Sequence, residues 1–406
     1  MTCPTWIIAI GIVFAAAWLV QLTLLLMVWL RPARHARREA KLPVGTYQPG
    51  VSVLVYSRNQ AEALARNLPV LLSQNYPDYE VIVLDDNSRD ETQDVLKMMD
   101  QRSERLFHTR IGWARAMSHR KLGVLLGAKA AHHEILLMTH AECLPASADW
   151  ISGMVQHFVH PEVEVVLGPV VYERRTSLLS RFCQFDRFNR LLQLMGTTLA
   201  VRPYAGWGQN LAFRKDTFYA NRSQGFQRHL KMQPGEDDLF VADVAQSNNV
   251  AVECRPEAVV TDESKPQFVS WSIDRLERGF TSRLYSWQPM AVQALDSETR
   301  YVTVLAGWMV IAYTLYNIMG HAETSQHVSW SVIAAVVAML LTRCGLMMYA
   351  HHAAARALRQ RSLMLWIVLT DLYMPLVDVW YRCKAVIQRK SFDVGRVGLS
   401  FAGGET

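Results

Sequence analysis

Apolar residues run almost unbroken from Trp6 to Leu30, with Gln21 the only strongly polar side chain among them. A helix of about 20 such residues crosses the hydrocarbon core of a bilayer. Between Val51 and Tyr285 the pattern changes to short apolar runs alternating with amphipathic ones. "VSVLVY" and "EVIVLDD" read as strands buried on both faces, and "AEALARNLPVLLSQ" reads as a helix. This alternation predicts an α/β domain over residues 50–290, built on a mostly parallel sheet flanked by helices. Long apolar runs return at 301–319 and 328–350, each of membrane-spanning length. A third run at 363–383 contains Asp371, Pro375 and Asp378, all costly in lipid. It reads as a broken helix, re-entrant or transmembrane.

Charge orients these segments. "RPARHARREAK" follows the first apolar run at once, and residues 31–49 read as a basic juxtamembrane linker. Positive charge beside a span marks the cytoplasmic side. No basic residue precedes the run, so residues 1–30 read as a retained anchor and not a cleaved signal. The 320–327 loop lacks Lys and Arg, whereas "HHAAARALRQR" and the 384–406 tail are basic. The expectation is a multi-pass protein of the cell inner membrane whose globular domain faces the cytoplasm. The net charge of +6 comes partly from these flanks. It suits a bilayer surface, and no basic stretch is interleaved with aromatics as a nucleic-acid module requires. Six cysteines form no CxxC pair, which predicts neither a cysteine zinc site nor a disulfide framework.

Candidate chemistry sits at the ends of the strand-like runs. Asp85 and Asp86 close one of them and are followed by Asn87, Ser88 and Asp90. Acids at the carboxyl end of a parallel strand stand where open α/β sheets bind ligands. The same residues would also cap a helix. A second apolar run breaks into His140-Ala141-Glu142. In "GWGQN", Gly206 and Gly208 let backbone approach a ligand, and Gln209 and Asn210 can hydrogen-bond one. The other reading is an ordinary glycine turn. In "QPGEDD", Glu236, Asp237 and Asp238 precede an apolar helical pattern. Clustered acids raise one another's pKa and so make a better base, but acids also simply favour a helix start. "FVSWSIDRLERGFTSRLY" reads as an amphipathic basic helix at a membrane surface.

Taken in order, these blocks resemble the inverting glycosyltransferases of family 2. "SRNQ", around Asn59, stands for the usual A/P-x-N-E turn, and "SQNYPDYEVIVLDDNSRDET" for the Q-x-Y-P…V-D-D-x-S-x-D-x-T run. "HRKLGVLLGAKAAHHEILLMTHAEC" is similar to the family's segment leading into its D-x-D turn, with His140 and Glu142 in place of the two acids. The resemblance covers roughly residues 50–285 and implies a GT-A fold that takes a nucleotide-diphospho-sugar donor. It implies donor contacts from Asn59, Asp85, Asp86, Gly208, Asn210, Glu236 and Arg278. His140 and Glu142 would hold a divalent cation, Mn²⁺ or Mg²⁺, and Asp237 would be the catalytic base. Where the family often has Q-x-x-R-W, this chain has Arg275 through Gly279, keeping the arginine and replacing the tryptophan by glycine. The flanking spans suggest a membrane-held saccharide or lipid acceptor. A rival reading is a non-catalytic subunit that binds sugar nucleotides or glycolipids. A nucleotidyltransferase would need a glycine-rich phosphate loop after the first strand, and "VYSRNQAEAL" has no glycine.

Overall fold

The computed structural model describes residues 4–41, 47–112, 117–220, 229–320 and 326–388. The order is α1 (Thr5–Leu24), a π-helical turn (Leu25–Trp29), α2 (Arg31–Glu39), β1 (Val51–Ser57), α3 (Ala61–Leu72), β2 (Tyr79–Asp85), α4 (Thr92–Asp100) and β3 (Leu106–Arg110). Next come α5 (His119–Ala130), β4 (Ile135–His140), β5 (Cys143–Pro145), α6 (Trp150–Val155), β6 (Val165–Leu167), β7 (Val170–Tyr172) and α7 (Leu178–Ala200). They lead to β8 (Leu211–Arg214), α8 (Lys215–Tyr219), α9 (Asp238–Val244), β9 (Val250–Val252) and β10 (Val260–Asp262). The chain ends in α10 (Phe268–Thr281), α11 (Trp287–Gly320), α12 (Gln326–Ala357), α13 (Trp366–Thr370) and α14 (Tyr373–Ile387).

Among the described residues, seven strands form one sheet in the order β3-β2-β1-β4-β8-β6-β9. β1 to β4 run parallel, and β8 runs antiparallel between β4 and β6. The residues of β1 and β2 are buried almost throughout, as strands covered on both faces must be. One face carries Val53, Val81 and Leu137 onto Leu64, Leu68 and Trp150, and the other carries Leu54, Ile82 and Leu136 onto Val124 and Ala128. A smaller sheet, β5-β10-β7, closes over the carboxyl side of β4. The strand register brings the carboxyl ends of β1, β2 and β4 level, at Ser57, Asp85 and His140.

Among the described residues, three helices are long and apolar enough to cross a membrane: Thr5–Glu39, Trp287–Met319 and Ser329–Ala357. The basic segment expected to be a linker is helical over Arg31–Glu39. Pro32 is tolerated in a first turn, and Ala33 and Ala36 face the core while Arg34, Arg37 and Arg38 face out. The run expected at 301–319 belongs to a helix that begins at Trp287. The third apolar run breaks at Asp371, between α13 and α14. Its costly acids are paired: Asp371 with Arg343 (2.5 Å) and Arg300 (3.3 Å), and Asp378 with Arg275. Gln21 joins the same network, accepting from Arg343 (3.0 Å) and donating to the Asp296 carbonyl (2.8 Å). The sole strongly polar residue of the first apolar run thus ties α1 to α11 and α12. α14 lies on α10, with Val377, Tyr381 and Ala385 against Trp271, Leu276 and Phe280. The tail beyond Gln388 lies outside the described residues.

Candidate active site

The 340 Å³ cavity at the carboxyl edge of the sheet is lined by His140 and Glu142 from the β4 turn, Gly206, Trp207 and Gln209, and Glu236 to Asp238. Arg120, Arg187, Asp262, Asp274, Glu277 and Arg278 complete most of its wall. Residues from seven separate stretches of sequence therefore meet in one place.

Asp237 stands before α9, its carboxylate partly exposed to the cavity. One oxygen accepts from the Gly208 N–H (2.6 Å) and the other from the Asp238 N–H (2.7 Å). The "GWGQ" and "GEDD" motifs are thus joined by a direct bond. Burial, and then the neighbouring Glu236 and Asp238, push Asp237 up to about 7, against the pull of the Gly208 N–H. Glu236 pairs with Arg120 (3.2 Å). Asp238, on the same wall, accepts from Thr281 (2.6 Å) and Tyr285 and so fastens α9 to the end of α10. The turn ahead of the acids contains Gly235 at φ +95°, in the left-handed region that favours glycine. Buried Lys121 donates to the carbonyls of His229, Met232 and Pro234 (2.7, 3.1 and 2.9 Å) and holds this turn against α5.

In the β4 turn, His140 Nδ1 lies 3.5 Å from Glu142 Oε1. Burial disfavours the charged imidazole, but the Glu142 carboxylate outweighs it and raises the His140 pKa. Burial likewise opposes ionisation of Glu142, and the hydrogen bond and charge of His140 overcome it. One carboxylate and one imidazole at this spacing suit two adjacent corners of a divalent ion's shell, with the remaining ligands from a diphosphate. Glu142 also lines a second cavity, of about 580 Å³, with Asn59, Gln60 and Asp90.

The structure treats the other residues singled out from sequence unequally. Asp85 is fully buried, accepting from the Ser88 N–H (3.1 Å) and Gln93, so it builds the turn it closes. Asp86 accepts from Tyr56 (2.5 Å) and contacts His119 Nδ1 (2.8 Å). Asn59, at φ 52°, receives the Arg89 N–H on its side chain and donates its own N–H to Ser88, stitching the β1 and β2 turns together. Asn210 does not reach the main cavity. Its amide donates to the carbonyls of Pro169 (3.0 Å) and Ala258 (2.9 Å) and accepts from Trp150 (3.0 Å), inside the core. A motif asparagine reads alike from sequence whether it faces a ligand or a core carbonyl.

Arg278 lines the cavity, bonded to Asp274 (3.0 Å) and lying over the Trp207 ring (4.9 Å). Arg187 lies over the same ring (4.5 Å) and donates to Gln209, which in turn donates to Asp262 (2.8 Å). Gly279, in the tryptophan's place, lies under α14: a Cβ there would meet the Tyr381 carbonyl oxygen at 3.0 Å. Sequence reading missed Arg120, Lys121, Arg187, Asp262 and Glu277. No short motif carries them, since they converge only through the sheet order.

A mostly parallel sheet of this order, with its ligand cavity at the carboxyl edge beside an acidic helix start, is the GT-A arrangement of nucleotide-diphospho-sugar transferases. Residues 52–219 match the family described as glycosyl transferase family 2. Among solved structures it is similar to a mannosyltransferase from Pyrobaculum calidifontis in complex with GDP-Man and Mn²⁺. That pair is 18% identical, covering 85% of this chain and 98% of the other, with a TM-score of 0.47. It is also similar to TarS residues 1–349 of S. aureus (13% identity, 84% and 91% covered, TM-score 0.40). A third is glucosyl-3-phosphoglycerate synthase from Mycobacterium tuberculosis with Mn²⁺, uridine-diphosphate and glucosyl-3-phosphoglycerate (15% identity, 58% and 80% covered, TM-score 0.37). At these values the three add nothing to what the fold and family match establish.

Proposed function

We propose that the protein transfers a sugar, with inversion, from a nucleotide-diphospho-sugar to a hydroxyl of a membrane-held saccharide or lipid. The observation that carries this reading is the placement of Asp237 in the cavity, held by the Gly208 N–H (2.6 Å) with its pKa pushed up to about 7. A carboxylate with a pKa near neutrality is suited to accept a proton at physiological pH. Asp237 takes the proton of the acceptor hydroxyl as that oxygen attacks the anomeric carbon. The bond to the diphosphate breaks on the opposite face, and the nucleoside diphosphate leaves with the electron pair. A divalent cation on His140 and Glu142 would neutralise charge on the departing diphosphate. Arg120 and Arg278 line the same wall and favour the same anion. The nucleoside end is assigned to the second cavity, which Asn59, Gln60 and Asp90 line and Glu142 borders.

A membrane-held acceptor is supported by a neighbouring cavity of about 240 Å³ between α7, α10, α11 and α14. It shares Trp207 and Arg278 with the main one, and its wall mixes Leu194, Met290 and Val379 with arginines. The basic flanks of the spans favour a cytoplasmic catalytic domain. The test is sugar-nucleotide turnover and binding by the full-length protein and by Asp237→Asn. Turnover is expected to fall about 10²- to 10⁴-fold with donor affinity retained. A variant that keeps its rate refutes Asp237 as base, and a wild-type protein that binds no sugar nucleotide refutes the transferase reading.

A further inference from the structure

A second cluster of metal-ligating side chains lies away from the sugar cavity. Glu39 from α2, His157 from the 3-10 turn after α6 and Glu253 just after β9 place one ligand atom each within 4.8 Å of one another. Both glutamates are buried, Glu253 completely. In each carboxylate one oxygen is held by a backbone N–H: Glu39 by Cys254 (3.0 Å) and Glu253 by Arg255 (2.6 Å). The other two oxygens face His157 Nε2, at 3.7 Å for Glu39 and 3.0 Å for Glu253.

A protonated Nε2 has one hydrogen and can fully serve only one of these oxygens, each of which has one further polar neighbour, His35 Nε2 for Glu39 and Gln156 for Glu253. A cation serves both oxygens and the nitrogen together. Ligands at zinc's usual bond length, arranged as a tetrahedron, sit about 3.4 Å apart, within the spread seen here. Arg255 Nε, 3.9 Å from Glu253, brings one positive charge to these two buried carboxylates, and a divalent ion supplies the rest. Around this set lies the support that metal ligands usually have. Gln156 donates to the Glu253 oxygen that faces the imidazole (2.8 Å). His35 Nε2 contacts Glu39 (3.1 Å) and the Val252 carbonyl (3.1 Å). Because a carbonyl only accepts, that nitrogen carries a proton, and His35 positions Glu39 without being a ligand.

We infer that Glu39, His157 and Glu253 bind a zinc ion that clamps the juxtamembrane helix α2 to the edge of the catalytic sheet. An imidazole beside two carboxylates, with all three ligand atoms within 4.8 Å of one another, favours zinc over Mg²⁺ or Ca²⁺. Cysteine spacing, which gave no zinc expectation, does not bear on a histidine-carboxylate set.

The test is zinc content and thermal unfolding of the detergent-solubilised full-length protein, after zinc loading and removal of loose metal. Glu142→Ala is run alongside, so that the β4 turn cannot account for the signal. About one zinc per chain is expected in both proteins, with a rise in Tm of about 5 °C over the metal-free form. His157→Gln and Glu39→Gln should lose the ion and the rise. Zinc X-ray absorption on Glu142→Ala protein needs no change in the cluster, and should show nitrogen and oxygen neighbours at about 2.0–2.2 Å with imidazole scattering. No retained zinc, zinc retained by His157→Gln, or a shell without imidazole overturns the assignment. Each of these outcomes is independent of whether sugar is transferred.

Discussion

Asp237 carries two opposed demands. Its raised pKa suits a base, but the folded protein then has to accommodate a charge that burial and two neighbouring acids disfavour. Between the ordinary carboxylate pKa and about 7, the unfolded chain releases a proton that the folded protein keeps, so this group subtracts stability as pH rises through that window. Asp237→Asn is therefore expected to melt higher than the wild type at pH 8 and to lose that advantage by pH 4. Equal melting curves at both values would contradict the raised pKa. Wild-type turnover should climb as pH passes about 7, the value to which Asp237 is pushed. At this scale the sequence was informative where a motif surrounds a residue: Glu236, Asp237, Glu142, His140, Gly208 and Arg278 all reach the cavity wall or its immediate support. It was silent on Arg120 and Glu277, whose part depends on which helix packs above them. It misjudged Asn210, whose amide completes core hydrogen bonds.

At the scale of elements, the strand runs and the break at Asp371 were legible because burial and charge are local properties of the chain. Helix α2 was not, since its arginines mask the alanine face that packs on the domain. The glycine at 279 read as the loss of a functional tryptophan. In the fold it is a crossing point for α14, and the arginine of that motif stacks on Trp207 from another segment. Gly279→Trp should therefore not restore a site. Overpacking against the Tyr381 backbone should cost about 1–3 kcal/mol or more and loosen α14, seen as a lower Tm and faster proteolysis after residue 372. A stable, more active Gly279→Trp protein would contradict this explanation.

Across the whole molecule, one buried polar network joins α1, α11, α12 and the α13–α14 break through Gln21, Asp296, Arg300, Arg343 and Asp371. Removing Asp371 leaves two buried arginines short of a partner. Asp371→Ala should cost about 3–5 kcal/mol, read as a fall in detergent Tm and yield, and Asp371→Glu should recover part of it. An unchanged Tm would show that the network does not hold the apolar helices together. Of these, α11 and α14 bound the cavity that shares Trp207 and Arg278 with the candidate active site, so the bundle and the α/β domain meet at the acceptor side proposed for the reaction.

The proposed reaction is a single displacement at the anomeric carbon with Asp237 as base. The most direct measurement is the anomeric configuration of the product that the purified full-length protein makes from an α-linked sugar nucleotide, followed by proton NMR. A single displacement gives a β-linked product and no covalent sugar on the protein. An α-linked product, or a trapped glycosyl-protein, would contradict it.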